Sequence, residues 1–308
     1  MVPVTGTVLR LRSHEVWSAL EIIDPVAVLA EDLIGRTVGR SGHTRTAEGR
    51  LVPWNGSGSD EGQFVLYEHP DAALPCAIPA HSLRTSLVAA LAAVAARELL
   101  FTSGVTVAML GSPEATQPQL SVISRYVPDI SHVAMCLAGG PRPVEPRLAD
   151  QLDMSGIALS VVGTLTDAVF GAILIIATNH SAVRLDLDAL RRGQLARGAV
   201  VVNATGTDLP DDLVDRMDQV FIDDFGLLGD NLDRSVVASH LALPATDVAD
   251  RRITADLGQL LTGRHPGRRR TDDVVLVELL GVHELNVRLA RRIHEAATRT
   301  GLGERITD

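Results

Sequence analysis

The sequence predicts an α/β fold, with a doubly wound parallel sheet in the middle of the chain and a second, α+β part beside it. Three observations predict this. Short, continuously apolar runs recur from residue 105 onward with helical segments between them, as strands buried on both faces require. The first hundred residues have a different pattern, in which a Gly/Ser/Asp-rich loop and a short strand precede one long alanine-rich helix. At 308 residues the chain also exceeds the size of a single hydrophobic core, so two domains, or one domain with a discontinuous partner, are expected.

Taken in order, 24–33 has helical spacing, 55–62 reads as a loop and 63–67 as a strand. The stretch 82–100 places alanine and leucine at helical spacing with no internal glycine or proline, and Thr102-Ser103-Gly104 ends it. Strands are then predicted at 105–110, 132–137, 157–162, 172–177, 199–204 and 219–222, joined by helical crossovers, the pattern of a Rossmann-type sheet. A last strand at 274–279 leads through Gly281 into a helix over 284–299 that packs back on the first part. The expected domains are 105–279 for the sheet and 1–104 with 280–308 for the discontinuous α+β domain.

Composition excludes several chemistries. All 28 basic residues are arginine; without lysine there is no Schiff base, lysine general base or Walker-type phosphate lysine. A net charge of −10 repels polyphosphate backbones, and Arg268-Arg269-Arg270 reads as a solvated loop, so no nucleic-acid partner is expected. Cys76 and Cys136 lack metal-ligand spacing and read as buried thiols, and the ten histidines form no metal-binding pattern. No apolar run approaches the roughly 20 residues of a membrane span, and Met1 to Arg12 carries no export signal, so a cytoplasmic protein is expected.

The turn after the strand at 105–110 stands where a dinucleotide-binding domain carries G-x-G-x-x-G/A. Gly111 supplies the first glycine, but Pro113 occupies the second position and Thr116 the third small one. Proline has no N–H to offer an anion, and Glu114 opposes a pyrophosphate by charge. As a plain helix start the same residues serve well, with Ser112 at the N-cap, Pro113 at N1 and Glu114 in the first turn. The next strand ends Leu137-Ala138-Gly139-Gly140 without a carboxylate for the ribose hydroxyls, and Arg142 is placed to meet a 2′-phosphate, which favours NADP(H).

Several segments, in order, resemble the ornithine cyclodeaminase/μ-crystallin family. Ser82-Leu83-Arg84-Thr85-Ser86-Leu87 is similar to its R-T-x-x-A helix start, and 107–120 to its cofactor loop, with Gln119-Leu120 retained. Ile175-Ile176-Ala177-Thr178 resembles its A-T strand end, and 201–210 its V-N-x-x-G-x-D-x-P segment. Val220 to Asp224 and Leu257 to Gly263 continue the likeness, and Gly281 to Asn286 resembles its closing G-x-x-x-x-D with asparagine for aspartate.

The resemblance implies a homodimer in which the discontinuous domain serves substrate binding and dimerisation, and an activity that uses NAD(H) or NADP(H) on the α-carbon of a small amino or imino acid. It assigns Asp208 as the acid/base carboxylate and Arg84 as the holder of the substrate carboxylate. Gly111, Ser112, Glu114, Ala115 and Thr178 fall on the cofactor side, with Arg142 beside them, and His283 falls near the substrate. The family's substrate-domain lysine has no counterpart; the 36–62 region where it would lie is rebuilt, and Arg45 or Arg50 is left to supply its charge for binding only. These departures open an alternative, a relative that has lost nicotinamide use and serves as a ligand- or partner-binding dimer or a redox-neutral lyase. The residues also admit plainer readings. Asp208 precedes Leu-Pro and reads as a turn aspartate capping a helix at Pro210, and Asp223-Asp224 reads as a strand-end loop rather than a metal site.

Overall fold

A computed structural model of the chain describes residues 6–39, 49–54, 63–179, 185–242, 252–283 and 286–307, with His283 as backbone alone. Backbone contacts divide the chain into two units, Met1–Leu87 with Glu284–Asp308, and Val88–His283.

In the first unit β1 (Thr7–Arg10) leads into α1 (Ser13–Leu20) and α2 (Pro25–Thr37). Asp24 accepts the Ala27 N–H at 2.8 Å and proline stands at N1, so the predicted helix starts at its cap and runs on to Thr37. There follow β2 (Arg50–Trp54), β3 (Phe64–Glu68), β4 (Cys76–Pro79) and α3 (Ala80–Leu99). Helix α3 is apolar almost all round and correspondingly buried, and the division between the units falls within it, where the expected boundary followed it.

The second unit alternates strand and helix: β5 (Val105–Gly111), α4 (Pro113–Tyr126), β6 (Ile130–Leu137), α5 (Pro146–Met154), β7 (Ala158–Val162), α6 (Leu165–Val169) and β8 (Leu174–Thr178). It continues through β9 (Val200–Ala204), α7 (Asp211–Val214), β10 (Gln219–Ile222), α8 (Ser235–Ala242), β11 (Ala255–Asp256), α9 (Leu257–Leu261) and β12 (Val275–Glu278). The chain then returns to the first unit with α10 (Val287–Thr300), which starts on Asn286 accepting the Leu289 N–H at 2.9 Å, and with β13 (Glu304–Thr307). Every strand predicted from 105 onward is present with its ends moved by at most two residues; the strands β1, β2, β4, β11 and β13 and the helix α1 have no counterpart among the predicted elements.

Among the described residues the first unit holds a mixed five-stranded sheet, ordered β13-β1-β4-β3-β2. The second holds an eight-stranded sheet, ordered β11-β10-β12-β9-β8-β5-β6-β7, in which every pairing is parallel. From β5 the chain winds outward to β7 and then resumes on the other side of β5 as β8. That reversal opens a crevice at the carboxyl ends of β5 and β8, the place where a sheet of this kind receives a ligand. Valine, isoleucine, leucine and alanine fill both faces of the strands, which accounts for their continuous apolar runs. Both cysteines are buried free thiols, and burial raises the thiol pKa of each.

Candidate functional site

Gly111 ends β5 at φ 142°, and a Cβ there would lie 1.8 Å from the carbonyl oxygen of Thr178 on β8. Only glycine lets the two strand ends come this close. Ser112 follows at the N-cap position of α4 with extended backbone, but its hydroxyl does not cap the helix; it is buried without a partner among the described residues. Ala115 and Thr116 both donate their N–H groups to the Ser112 carbonyl, at 3.1 and 2.9 Å. Since Pro113 has none, the Glu114 amide is what remains of the first turn for an anion. Thr178 is pinned from α4 by Gln119, whose Nε2 donates to its Oγ1 at 2.9 Å. The glycine approach and the buried, unpartnered Ser112 hydroxyl fit a dinucleotide, with fewer amide donors for its pyrophosphate than a glycine-rich turn provides.

Beside this turn lies a cavity of about 250 Å³, lined by Leu110, Thr178, Asn179, Thr205, Thr207 and Asp208 together with 185–188. The Oδ1 of Asn179 is buried without a partner among the described residues. Asp208 accepts from Arg234 Nε at 2.9 Å and from the Ser235 N–H at 3.0 Å. It therefore caps α8, where the helix dipole favours an anion, and not the helix at Pro210 as the Leu-Pro context suggests. Its carboxylate remains 36% exposed, toward the cavity it lines.

Behind Asp208 the polar groups are buried and mutually satisfied. Arg234 Nη2 donates to Glu278 at 2.6 Å and to the Thr207 carbonyl at 3.0 Å. Asn203 Nδ2 donates to both Glu278 oxygens, at 3.1 and 2.9 Å, and its Oδ1 accepts from the Thr205 hydroxyl at 2.7 Å. Burial lifts the Glu278 carboxyl from 4.5 to about 7, against the downward pull of Arg234 and Asn203. Neither Arg234 nor Glu278 is among the residues singled out from sequence. The available signal is Glu278 itself, a carboxylate closing the apolar run Val275-Leu276-Val277, which a strand buried on both faces tolerates only if the charge is paired.

Of the other predicted positions, Arg84 and Arg50 belong to the first unit and Arg142, Asp223 and Asp224 to the second. Arg84 sits half-buried in the first turns of α3. Arg50 is on β2, its guanidinium ion-paired with Glu68 on β3. Arg45 lies outside the described residues, as does the 55–62 loop, and the His283 backbone falls in a short 3-10 turn, Leu280–His283. Arg142 is exposed just beyond β6. Asp223 is a buried strand-end cap, accepting the N–H groups of Leu280 at 3.0 Å and Gly281 at 2.8 Å; burial lifts its carboxyl from 3.8 to about 6 despite those bonds. Asp224 accepts from the Gly226 N–H at 2.8 Å. The basic cluster divides, and its reading as a solvated loop is corrected for Arg268, which is 7% exposed and donates to the carbonyls of Gly198, Thr271 and Asp273 at 2.7, 3.2 and 3.1 Å. Arg269 and Arg270 are exposed.

A model of the Ornithine cyclodeaminase/mu-crystallin family matches residues 59–301. Delta(1)-pyrroline-2-carboxylate reductase of Bacillus cereus is 24% identical over 153 residues, a match that spans 47% of this chain and 44% of that relative. Among solved structures, that of CmnK is similar with a TM-score of 0.68 at 19% identity, over 98% of both chains. The Delta(1)-pyrroline-2-carboxylate reductase of Thermococcus litoralis, in complex with NADH and L-proline, is similar with a TM-score of 0.66 at 13% identity, over 97% of this chain and 100% of that one. These likenesses establish a Rossmann-type α/β fold with an additional mixed sheet, and no helix among the described residues is long and apolar enough to cross a membrane.

Proposed function

Because the chain belongs to the ornithine cyclodeaminase/mu-crystallin family, we propose that it is a divergent enzyme of that family, acting on a small amino or imino acid by nicotinamide-linked hydride transfer as a dehydrogenase, imine reductase or cyclodeaminase. The observation that carries this reading is the Asp208 carboxylate on the wall of the crevice cavity, fixed from behind by Arg234 and the Ser235 N–H and open in front.

NAD(H) or NADP(H), when bound over the Gly111 turn, supplies or accepts the hydride at the substrate α-carbon. The chain's own residues do the rest. Asp208 has both oxygens oriented by donors, and its remaining lone pairs exchange a proton with the substrate nitrogen or with water at that carbon. Asn179 Oδ1, an acceptor in the same cavity, binds the N–H of an amine or imine. The family resemblance assigns Arg84 of the first unit to the substrate carboxylate, a group that a guanidinium grips through two parallel hydrogen bonds. A cavity of about 250 Å³ lies below the roughly 300–1,000 Å³ of drug-sized sites and suits a small substrate. The first unit serves substrate binding and dimerisation, and the enzyme works as a cytoplasmic homodimer.

Asp208→Asn keeps the shape of the side chain and removes its proton exchange. It is expected to lower kcat on the order of 100- to 10,000-fold while leaving nucleotide affinity, read by fluorescence titration, nearly unchanged. Turnover equal to wild type removes Asp208 from the chemistry.

The Pro113 turn supports a second reading, a relative that no longer uses nicotinamide and acts as a binding dimer or redox-neutral lyase, since Pro113 has no amide and those of Ala115 and Thr116 are already bonded, which leaves the first turn only the Glu114 amide. Mass analysis of small molecules released from the purified protein, with NADH and NADPH titrations, separates the two. No bound nucleotide, and no binding of either up to millimolar concentration, selects the second.

A further inference from the structure

We infer that Arg142 makes the protein select NADP(H) over NAD(H), by binding the 2′-phosphate of the adenosine ribose; this rests on the nicotinamide-linked reading above. Strand β6 is the second strand of the parallel sheet and the neighbour of β5, and its carboxyl end is where a domain of this kind meets the adenosine ribose. An NAD-selective site puts a carboxylate there, which hydrogen-bonds the 2′-hydroxyl and repels a 2′-phosphate. Here the strand gives way to Ala138-Gly139-Gly140.

The turn is built around the guanidinium. Gly139 and Gly140 have φ of 82° and 93°, and a Cβ on Gly139 would lie 3.1 Å from Arg142 Nη2. The arginine thus folds back toward the end of β6, over a glycine whose positive φ other residues rarely adopt. Pro143 follows Arg142 and disfavours the α region for it, which keeps the backbone there extended. Ala138 donates its N–H to the Gly111 carbonyl at 2.8 Å, so this turn is tied directly to the one at the head of α4. No acidic side chain pairs with Arg142 among the described residues. The charges nearest in sequence are Glu145, whose amide is held by Gln117 Oε1 at 2.9 Å, and Arg147 on the first turn of α5.

The two turns reinforce the choice. The pyrophosphate meets few amide donors at Pro113 and a like charge at Glu114, so a larger share of the nucleotide's affinity falls to a contact elsewhere. A guanidinium facing a phosphate dianion is such a contact, whereas facing a bare hydroxyl it gains little.

Fluorescence titration of the full chain with NADPH and with NADH tests this without reference to turnover, and thermal shift with 2′,5′-ADP and 5′-ADP isolates the adenosine end. NADPH is expected to bind about tenfold tighter or more, equivalent to about 1.4 kcal/mol, with 2′,5′-ADP the more stabilising of the two fragments. Arg142→Ala should bring the NADPH and NADH affinities together by weakening NADPH alone, and Arg142→Lys should retain part of the preference. Equal affinities in the wild type, or a preference that survives Arg142→Ala, overturn the inference while the nicotinamide-linked reading stands. Binding of neither nucleotide overturns both.

Discussion

Arg234→Met takes the cation out of the cluster behind Asp208. Glu278, 1% exposed, loses its 2.6 Å partner and keeps the Asn203 amide; Asp208 loses the bond from Nε at 2.9 Å, and the Thr207 carbonyl loses the donor at 3.0 Å while keeping those from Asn203 and Thr205. Breaking a buried pair from one side costs about 3–5 kcal/mol, because the remaining charge stays out of water. With an unfolding slope of about 3 kcal/mol per M urea, the midpoint falls by about 1–2 M. The loss depends on pH through Glu278. Burial raises its folded pKa from 4.5 to about 7, and removing Arg234 raises it further. A group with a raised folded pKa contributes its full stability below the unfolded value and loses it as pH rises through the folded one. At about pH 5 Glu278 therefore carries its proton in both proteins and adds nothing to the penalty, which then comes from the lost bonds to Asp208 and Thr207. At about pH 8 the wild type ionises it beside Arg234 while the variant, its pKa higher still, keeps the proton, and the penalty is larger by up to about 1.4 kcal/mol. Urea unfolding followed by circular dichroism at the two pH values measures this. Arg234→Met combined with Glu278→Met should recover most of the loss, since an apolar pair of similar volume replaces a buried ion pair at little cost. A penalty under about 1 kcal/mol at about pH 8, the scale of a surface ion pair, or one that is the same at both pH values, would refute the reasoning.

Two further outcomes follow from the same end of the sheet. Pro113→Gly returns an N–H to the turn and lets a phosphate approach; NADPH and NADH should both bind about tenfold tighter by fluorescence titration, and unchanged affinities would show that the turn does not meet the pyrophosphate. Asp223 has a folded pKa raised from 3.8 to about 6, so its contribution is complete below the lower value and is lost as pH rises through the upper one. The stability of the wild type relative to Asp223→Asn should thus fall by about 2 kcal/mol between about pH 4 and 6; a difference that rises over that interval would mean that the Leu280 and Gly281 amides outweigh burial.

The parallel sheet was legible because its strands are buried on both faces, and burial writes itself into sequence as unbroken apolar runs such as Val200 to Val202. Gly111 was legible for a similar reason, as the one residue that allows the approach to Thr178. The cluster behind Asp208 was not. Its bonds join Arg234 to partners 26 and 44 positions away, and an arginine between Asp233 and Ser235 reads locally as a solvated helix start. Asp208 itself was found by its place in a motif, yet its partner was misjudged, because Leu209-Pro210 offers a nearby helix start and chain proximity says nothing of α8. Arg268 misled in the same way: three adjacent arginines look alike in sequence, and only the carbonyls of Gly198, Thr271 and Asp273 single out the first. Strand β13 carries no apolar alternation, being an exposed edge strand whose register comes from β1.

That pairing of β13 with β1 also sets the two sheets apart in how much of the chain each needs. Thr7 faces Thr307 and Arg10 faces Glu304, so the first sheet joins residues nearly three hundred positions apart. All eight strands of the second sheet lie between residues 105 and 278, so none of its pairings needs α10 or β13. Without β13, β1 keeps one strand neighbour among the described residues, β4, and an edge with unpaired amides and carbonyls. A chain cut short before residue 304 thus keeps every pairing of the parallel sheet beside an open-edged one, and that edge is where it pairs with a neighbour instead of with itself.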